Sequence, residues 1–255
     1  MNRIAVIQAR MSSARLPGKV MAEIEGRPMI AILLQRLRRA RLVDDVVLAT
    51  SLSRADDELA DFVLRAGCRV YRGSESDVLE RVIEAAAGAD SIVRITADCP
   101  LTDPEIVDSV CAAFDGADVD YSSNVDPPSF PDGLDVEVVS MAALKRVHES
   151  ETEPRFREHV TLSIRERGRF SRINVPFSND LSRLRWTVDE PTDLEVIRRV
   201  FRHFRPRLDF RWSEVLALSQ QDPDLFAANA DIMRNEGLTM TAEAKRRRSG
   251  SRESE

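Results

Sequence analysis

The chain opens with an apolar run and a cationic loop, Ile4-Ala-Val-Ile-Gln-Ala-Arg-Met-Ser-Ser-Ala-Arg-Leu-Pro-Gly-Lys19. The apolar run, Ile4–Ile7, predicts a buried first strand. Farther on, Pro28 precedes another apolar stretch, and proline is typical of the first turn of a helix. The segment between them, residues 10–19, is therefore predicted to be a strand-to-helix loop that carries three cations and a Pro-Gly turn.

This loop has the charge that a polyanionic ligand needs. Its cations are Arg10, Arg15 and Lys19, and no acid follows them before Glu23, in a chain whose formal net charge is -6. Guanidinium groups, a lysine ammonium and backbone N–H groups can together hold several phosphate oxygens. We therefore expect the loop to bind phosphate groups, with a solvated surface turn as the alternative.

Two common phosphate-binding patterns do not fit the loop. A P-loop requires glycine where this chain has Ser13, and serine or threonine where it has Val20. The G-x-G-x-x-G spacing of dinucleotide-binding proteins is also missing. The loop is therefore predicted to bind phosphates in some other way.

The composition indicates a globular protein with one substantial core, since 43% of the 255 residues are hydrophobic. The 37 basic and 43 acidic residues give no general attraction to nucleic acid or anionic membranes. The longest apolar stretch, Met29–Leu34, is too short to span a bilayer, and no signal peptide is expected before the first strand. Cys68, Cys99 and Cys111 are unclustered, which favours reduced thiols and a cytoplasmic location.

Strand and helix patterns alternate through residue 115. Strands are predicted at residues 4–7, 46–49, 69–71 and 91–95, and helices at residues 28–40, 55–66, 78–87 and 104–114. This order predicts an α/β protein with a mainly parallel sheet and helices on both faces. Ligands in such proteins bind beyond the carboxyl ends of the strands, where the cationic loop lies.

The pattern changes after residue 116. Strands are predicted at residues 119–122, 134–139, 170–175 and 185–188, and helices at residues 141–150, 153–167, 191–204 and 213–233. We interpret residues 1–240 as one domain, with a ligand-binding half over 1–115 and a partly antiparallel half over 116–240. The basic residues 241–255 predict a disordered tail, with nucleic-acid or membrane binding as the alternative.

Two aspartates, Asp98 and Asp189, each follow a predicted strand. If those strands are neighbours, the two carboxylates can share one Mg²⁺ that bridges phosphate oxygens. The alternative for Asp189 is an acid at the start of the next helix. Asp103 precedes Pro104 and is predicted to cap a helix. Because the histidines and cysteines lack metal-ligand spacing, any essential metal is expected to be a hard cation bound by oxygen.

Several stretches together resemble the sugar-acid cytidylyltransferases, the group of acylneuraminate and 3-deoxy-manno-octulosonate cytidylyltransferases. The resemblance is strongest to the branch of spore-coat polysaccharide biosynthesis, and it covers most of residues 3–240. The stretches that carry it are Gln8–Lys19, Ala49–Ser51, Asp56–Asp57, Arg72–Arg81, Asp98, Asp132–Glu137, Arg157–Val160, Asp189–Leu194 and Asn235–Gly237.

The resemblance implies a three-layer fold like that of the nucleotide-diphospho-sugar transferases, in which residues 1–115 are the nucleotide-binding half. It implies Mg²⁺-dependent transfer of CMP from CTP to a sugar, expected to be a 2-keto-3-deoxy sugar acid, in surface polysaccharide biosynthesis. CTP and a sugar acid are then the ligands, in a homodimer without nucleic-acid or membrane partners. The alternatives are a sugar-1-phosphate nucleotidyltransferase, a glycosyltransferase, or a non-catalytic nucleotide-binding subunit.

The resemblance also implies roles for individual residues. Arg15, Lys19 and Asp98 are the predicted catalytic residues, and Asp98 and Asp189 are the predicted metal ligands. The predicted nucleotide-binding residues are Ala9, Arg10, Ser12, Ser13, Arg15, Lys19, Arg72, Ser74, Asp77 and Arg81. Weaker predictions for the substrate are Asp135, Glu137 and Glu158. No general base is predicted, and His159 is not given that role.

Overall fold

Seven strands form one sheet in the computed structural model, which describes residues 1–234. The strands in chain order are β1 (Arg3–Gln8), β2 (Glu23–Ile24), β3 (Arg27–Pro28), β4 (Asp45–Ser51), β5 (Arg69–Gly73), β6 (Ser91–Thr96), β7 (Tyr121–Ser123), β8 (Glu137–Ser140) and β9 (Arg172–Asn174). The sheet has the order β5-β4-β1-β6-β8-β7-β9, and β2 and β3 form a separate antiparallel pair. Only β8 runs against the other six strands of the sheet, so the predicted mainly parallel mixed sheet is confirmed.

The helices are α1 (Met29–Leu37), α2 (Asp57–Arg65), α3 (Val78–Ala85), α4 (Pro104–Ala117), α5 (Met141–Ser150), α6 (Pro154–Glu158), α7 (Leu162–Glu166), α8 (Pro191–Phe204) and α9 (Trp212–Gln221). Asp103 caps α4, as predicted, because its Oδ1 accepts a hydrogen bond of 2.8 Å from the backbone N–H of Glu105. None of the helices within residues 1–234 is long and apolar enough to cross a membrane.

The central strand β1 is buried on both faces, which fixes the layered architecture. Ala5 and Ile7 belong to one apolar cluster, and Ile4 and Val6 belong to a second cluster on the opposite face of the sheet. A parallel strand with helices on both sides is expected to be apolar throughout in this way. The α/β fold with three layers is therefore confirmed.

One predicted strand is wrong. Residues 185–188 form no regular strand, although Arg185 makes a single bridge to Asp132. The backbone N–H of Trp186 donates to Asp132 O, while that of Val188 donates to Asp98 O. Because the hydrogen-bond partners are two separate loops, the segment adopts an irregular extended path rather than a ladder.

Two predicted helices are interrupted. The helix expected over 153–167 is divided into α6 and α7, and Val160 between them has a φ of 41°, which a continuing helix does not allow. The helix expected over 213–233 ends at Gln221, because Asp222 and Pro223 start a separate 3₁₀ turn. The tail at 241–255 and the stretch Asn235–Gly237 lie outside the described residues.

Candidate active site

The cationic loop is held in place by a buried carboxylate. Asp56 is 1% exposed, and its Oδ1 accepts a hydrogen bond of 2.7 Å from the backbone N–H of Met11. Its Oδ2 accepts from the backbone and side chain of Ser51, at the end of β4. Burial raises the pKa of Asp56, but these hydrogen bonds lower it by more, so it stays ionised. The loop is closed by Gly18, whose φ of 72° suits glycine.

The two predicted metal ligands meet at one lysine. Lys19 Nζ lies 3.0 Å from Asp98 Oδ2 and 2.8 Å from Asp189 Oδ1. It also donates to Val188 O at 2.8 Å. The prediction that Asp98 and Asp189 come together with the loop therefore agrees with the geometry, even though one of the strands expected to place them does not form.

The positive charge of Lys19 and the negative charges of Asp98 and Asp189 stabilise one another. Burial lowers the pKa of Lys19, but Asp98 and Asp189 together raise it above its usual value. Burial raises the pKa of Asp98, but Lys19 and several hydrogen bonds lower it to about 2. Lys19 is thus an ammonium between two carboxylates, and its charge keeps Asp98 ionised.

Two arginines cover the far side of Asp189. Arg15 lies 3.1 Å from Asp189 Oδ2, and Arg185 lies 3.4 Å from the same oxygen. Arg185 is buried and is fixed by two hydrogen bonds of 2.8 Å to Asp193, on α8. Sequence analysis missed Arg185, since its spacing from Asp189 carries no recognisable signal. Its position orients the Asp189 carboxylate towards Lys19.

Two cavities open on either side of Asp98. The first, the loop cavity, has a volume of about 560 Å³ and is lined by the cationic loop, Arg81, Glu158 and His159. The second, the arginine cavity, has a volume of about 330 Å³ and contains Arg94, Arg165, Arg185 and Arg234 among its lining side chains. The residues shared by both linings are Arg15, Thr96, Asp98 and His159. Asp98 therefore lies where a ligand in one cavity meets a ligand in the other.

Most of the predicted nucleotide-binding residues line the loop cavity. They are Ala9, Arg10, Ser12, Ser13, Arg15, Lys19 and Arg81. Arg81 is 2% exposed and donates to Ser74 O, while its Nε has no hydrogen-bond partner within residues 1–234. Its hydrogen bond to Ser74 O holds the guanidinium in place at the wall of the loop cavity.

Three predicted nucleotide-binding residues are not among the described residues that line the cavity. Arg72 donates instead to Ser51 O at 2.9 Å and Ser53 O at 2.8 Å. Ser74 accepts from the backbone N–H of Asp77, and Asp77 caps α3. These contacts support the cavity wall from behind.

The predicted substrate residues are divided between the cavities. Asp135 and Glu137 line the arginine cavity, whereas Glu158 lines the loop cavity. Glu137 is 5% exposed and accepts hydrogen bonds from Thr161 at 2.6 Å and Tyr121 at 2.5 Å. Burial raises its pKa, but mainly Arg94 lowers it, to about 2. Glu137 therefore orients the cations of the cavity wall.

Arg165 is a cation of the arginine cavity that sequence analysis missed. Its Nε lies 4.0 Å from Glu137 Oε1 and has no hydrogen-bond partner among the described residues. Burial lowers its pKa, but Glu137 and other acids raise it, so it remains charged. Arg165 lies 28 residues after Glu137, the first residue of β8, and this spacing gives no sequence signal. Only the chain reversal through α6 and α7 brings Arg165 close to Glu137.

Asp132 and Asp135 form an acidic pair that also lines the arginine cavity. Gly133 between them has a φ of 104°, and a side chain there would lie 2.6 Å from Thr187 N. Glycine thus lets the pair approach the segment that carries Arg185. Burial and then the neighbouring Asp135 raise the pKa of Asp132 to about 7. The pair can accept hydrogen bonds from hydroxyl groups of a ligand.

Comparison with known proteins identifies the family. The family model described as cytidylyltransferase matches residues 4–206. The chain is 35% identical over 231 residues to the spore coat polysaccharide biosynthesis protein SpsF of Bacillus subtilis, covering 86% of this chain and 94% of that protein. The solved structure of a cytidylyltransferase from Leptospira borgpetersenii superposes with a TM-score of 0.84 at 27% identity, covering 89% of this chain and 97% of that chain. This chain belongs to the cytidylyltransferase family.

A second relative supports the same assignment over part of the chain. The 3-deoxy-manno-octulosonate cytidylyltransferase of Pelobacter propionicus is 41% identical over 110 residues, covering 42% of each protein. The predicted resemblance is thus confirmed, and the protein is a nucleotidyltransferase. In this cytidylyltransferase two cavities share Asp98 in their linings.

The donor set of this cytidylyltransferase suits a divalent metal. Asp98 and Asp189 already converge on one cation, Lys19 Nζ, within 3.0 Å. No group of three or more His, Cys, Asp and Glu side chains with metal-binding geometry occurs within residues 1–234. Two carboxylates are nevertheless sufficient for Mg²⁺, which usually takes its other ligands from substrate phosphates and water.

Proposed function

We propose that this cytidylyltransferase uses Mg²⁺ to transfer CMP from CTP to a hydroxyl group of a sugar acid, expected to be a 2-keto-3-deoxy sugar acid, for surface polysaccharide biosynthesis. The observation that carries the proposal is the position of Asp98 on the linings of both cavities. CTP would bind in the loop cavity and the sugar acid in the arginine cavity. The names of the two relatives, a spore coat polysaccharide protein and a 3-deoxy-manno-octulosonate cytidylyltransferase, support this choice.

The loop cavity supports a triphosphate ligand by its charge. Arg10, Arg15 and Lys19 bring three cations to one wall. They can neutralise the β- and γ-phosphates, where negative charge grows as pyrophosphate leaves. Cytosine as the base is supported by the family, since the model described as cytidylyltransferase matches residues 4–206.

The arginine cavity supports an acidic sugar as the acceptor. Arg94, Arg165, Arg185 and Arg234 line this cavity, and guanidinium groups suit the carboxylate of a sugar acid. Asp132 and Asp135 can accept hydrogen bonds from the sugar hydroxyls.

The reaction requires positioning and charge neutralisation. The acceptor oxygen attacks the α-phosphorus in line, the bond to the β-phosphate oxygen breaks, and pyrophosphate leaves as the hydroxyl proton is released. Mg²⁺ held by Asp98 and Asp189 would supply a Lewis acid for the phosphate oxygens. Arg185 keeps Asp189 in place, and Arg15 and Lys19 stabilise the leaving group.

A homodimer and a cytoplasmic location belong to the same proposal. The cytoplasmic location is supported by the three cysteines, Cys68, Cys99 and Cys111, which are all free and buried. The homodimer is inferred from the resemblance to the sugar-acid enzymes. Light scattering on the purified full-length chain tests it: twice the 28.7 kDa chain mass is expected, and a single chain mass would contradict it.

A substrate panel tests the function. The protein is incubated with each nucleoside triphosphate, Mg²⁺, and either sugar acids or sugar 1-phosphates, and pyrophosphate release is measured. We expect release only with CTP and a sugar acid, and its loss on adding EDTA. Release with UTP or dTTP and a sugar 1-phosphate would overturn the proposal in favour of the alternative nucleotidyltransferase.

A further inference from the structure

We propose that Lys19 is a switch: its ammonium keeps Asp98 and Asp189 closed to a divalent cation until a nucleoside triphosphate draws it away. The inference rests on the proposed metal site, and it concerns the order in which the site fills. Its consequence is that the metal enters together with the nucleotide and binds poorly on its own.

All three donors of the Lys19 ammonium have acceptors. Asp98 Oδ2, Asp189 Oδ1 and Val188 O lie at 3.0, 2.8 and 2.8 Å, and the side chain is 11% exposed. A lysine ammonium has three N–H bonds, so this arrangement saturates it. Lys19 is thus fixed on the two carboxylates.

The same oxygens would have to serve the metal. Mg²⁺ binds carboxylate oxygens at about 2.1 Å, so it cannot share Asp98 Oδ2 and Asp189 Oδ1 with an ammonium already in contact with both. Two cations at that spacing also repel each other strongly. Of the two remaining oxygens, Asp189 Oδ2 has Arg15 and Arg185 against it at 3.1 and 3.4 Å, and Asp98 Oδ1 accepts from the Cys99 thiol at 3.4 Å. Within residues 1–234, only one carboxylate oxygen of the pair therefore has no cation against it.

The local charge explains why the metal alone is not attracted. Asp98 and Asp189 bring two negative charges, and Lys19 and Arg15 lie against them with two positive charges, of which Arg15 also contacts Glu190 at 3.5 Å. Arg185 is paired with Asp193, which is fully buried. The carboxylates therefore present little net charge to a free divalent cation.

A bound triphosphate would restore the negative charge at Asp98 and Asp189, because it would draw their cations away. Lys19 and Arg15 both line the loop cavity, where several phosphate oxygens would compete for them. When the two cations turn to the phosphates, Asp98 and Asp189 recover their charge at the moment when the phosphates bring a metal. Lys19 thereby serves first as a partner of the carboxylates and then of the leaving group.

Mn²⁺ binding to the full-length protein tests the switch without any acceptor or turnover. Mn²⁺ is measured by electron paramagnetic resonance for the wild type, Lys19→Met and the double variant Lys19→Met/Asp98→Asn. We expect weak binding to the wild type, binding about tenfold tighter to Lys19→Met, and loss of that gain in the double variant. Lys145→Met is the matched control, since Lys145 is an exposed lysine on α5, and it should bind like the wild type.

A second measurement uses only the wild type, in case Lys19→Met does not fold. With the non-cleavable analogue α,β-methylene-CTP, water proton relaxation should report a protein-bound Mn²⁺ that is missing without the analogue and weakened in Asp98→Asn. Wild-type protein that binds Mn²⁺ without nucleotide as tightly as with it would overturn the switch. So would folded Lys19→Met that gains no affinity. Either result leaves the proposed function standing, because that depends on the separate pyrophosphate assay.

Discussion

At the scale of single residues, Asp98 is the residue on which the proposed reaction depends most. It lies on both cavities and is held as a carboxylate mainly by Lys19. Replacing it with asparagine keeps the shape but removes the charge that the metal and Lys19 require. We expect Asp98→Asn to lower the rate of pyrophosphate release roughly 10²–10³-fold, in the range seen when one preorganised charge-stabilising group is lost.

Two measurements accompany that prediction. Circular dichroism should show an unchanged fold, because the Asp98 side chain is 25% exposed and its backbone contacts are retained. Asp61→Asn, at an exposed position on α2, is the control and should be as active as the wild type. An Asp98→Asn enzyme within tenfold of the wild type would refute the assigned role.

Asp132 predicts an unusual dependence of stability on pH. Burial and Asp135 raise its pKa to about 7 in the folded protein, above the usual value of about 3.9 in an unfolded chain. A carboxyl with a raised pKa favours the folded state fully below pH about 3.9, and this contribution is lost as the pH rises through 7. Asparagine is neutral throughout, so Asp132→Asn should gain stability relative to the wild type as the pH increases.

Chemical denaturation at pH 5 and pH 8 measures this effect. The difference in unfolding free energy between Asp132→Asn and the wild type should shift in favour of the variant by on the order of 2 kcal/mol between the two pH values. Asp61→Asn again serves as the control and should show no such shift. An equal difference at both pH values would show that Asp132 titrates normally.

At the scale of elements, Asp77 connects α3 to α6. Its Oδ1 accepts from the backbone N–H of Glu80 at 3.0 Å, and its Oδ2 accepts from Arg157 Nε at 2.8 Å. The first contact caps α3, and the second holds α6, which brings Glu158 to the loop cavity. Two substitutions separate these contacts, since asparagine can still cap a helix but cannot form the ion pair.

We expect Asp77→Ala to be about 1 kcal/mol less stable than Asp77→Asn, because only alanine loses the cap. Both variants should raise the KM for CTP roughly twofold to fivefold, because both release α6 from its partner. Thermal denaturation and initial-rate kinetics provide the two measurements. Equal stability of the two variants would contradict the capping role, and an unchanged KM in both would contradict the connection to the cavity.

Elements with local signals could be predicted from the sequence, and elements without them could not. The apolar run of β1 and the Asp103-Pro104 start of α4 carry their own information, so both were predictable. The segment 185–188 also alternates like a strand, but its hydrogen-bond partners are loops that no local pattern specifies. The break at Val160 likewise depends on how α6 and α7 pack rather than on their own residues.

The same distinction applies to the site. Lys19 and Asp98 could be predicted to lie together, since Lys19 belongs to the cationic loop and Asp98 follows β6. Asp189 lies with them although the strand predicted before it does not form. Arg165 and Arg185 could not, because their positions in the arginine cavity depend on contacts between distant segments. The nucleotide side of the site was thus more predictable than the acceptor side.

At the scale of the whole molecule, one sheet brings the two cavities together. β1, β4 and β6 come from the first part of the chain, and β7 to β9 extend the same sheet from residues beyond 116. The loop cavity is built mainly by the first group, and the arginine cavity draws many of its charged residues from the second. Because the two cavities meet at Asp98, a ligand in one could react with a ligand in the other. Transfer of a group between these two ligands is the central claim.

Phosphorus NMR of the complete reaction tests that claim most directly. Full-length protein is mixed with CTP, Mg²⁺ and a panel of sugar acids that includes 3-deoxy-manno-octulosonate and N-acetylneuraminate. With an accepted sugar, the three CTP signals should give way to one phosphodiester signal and pyrophosphate in equal amounts. Consumption of CTP at the same rate without any acceptor, or formation of CDP and inorganic phosphate, would contradict the account.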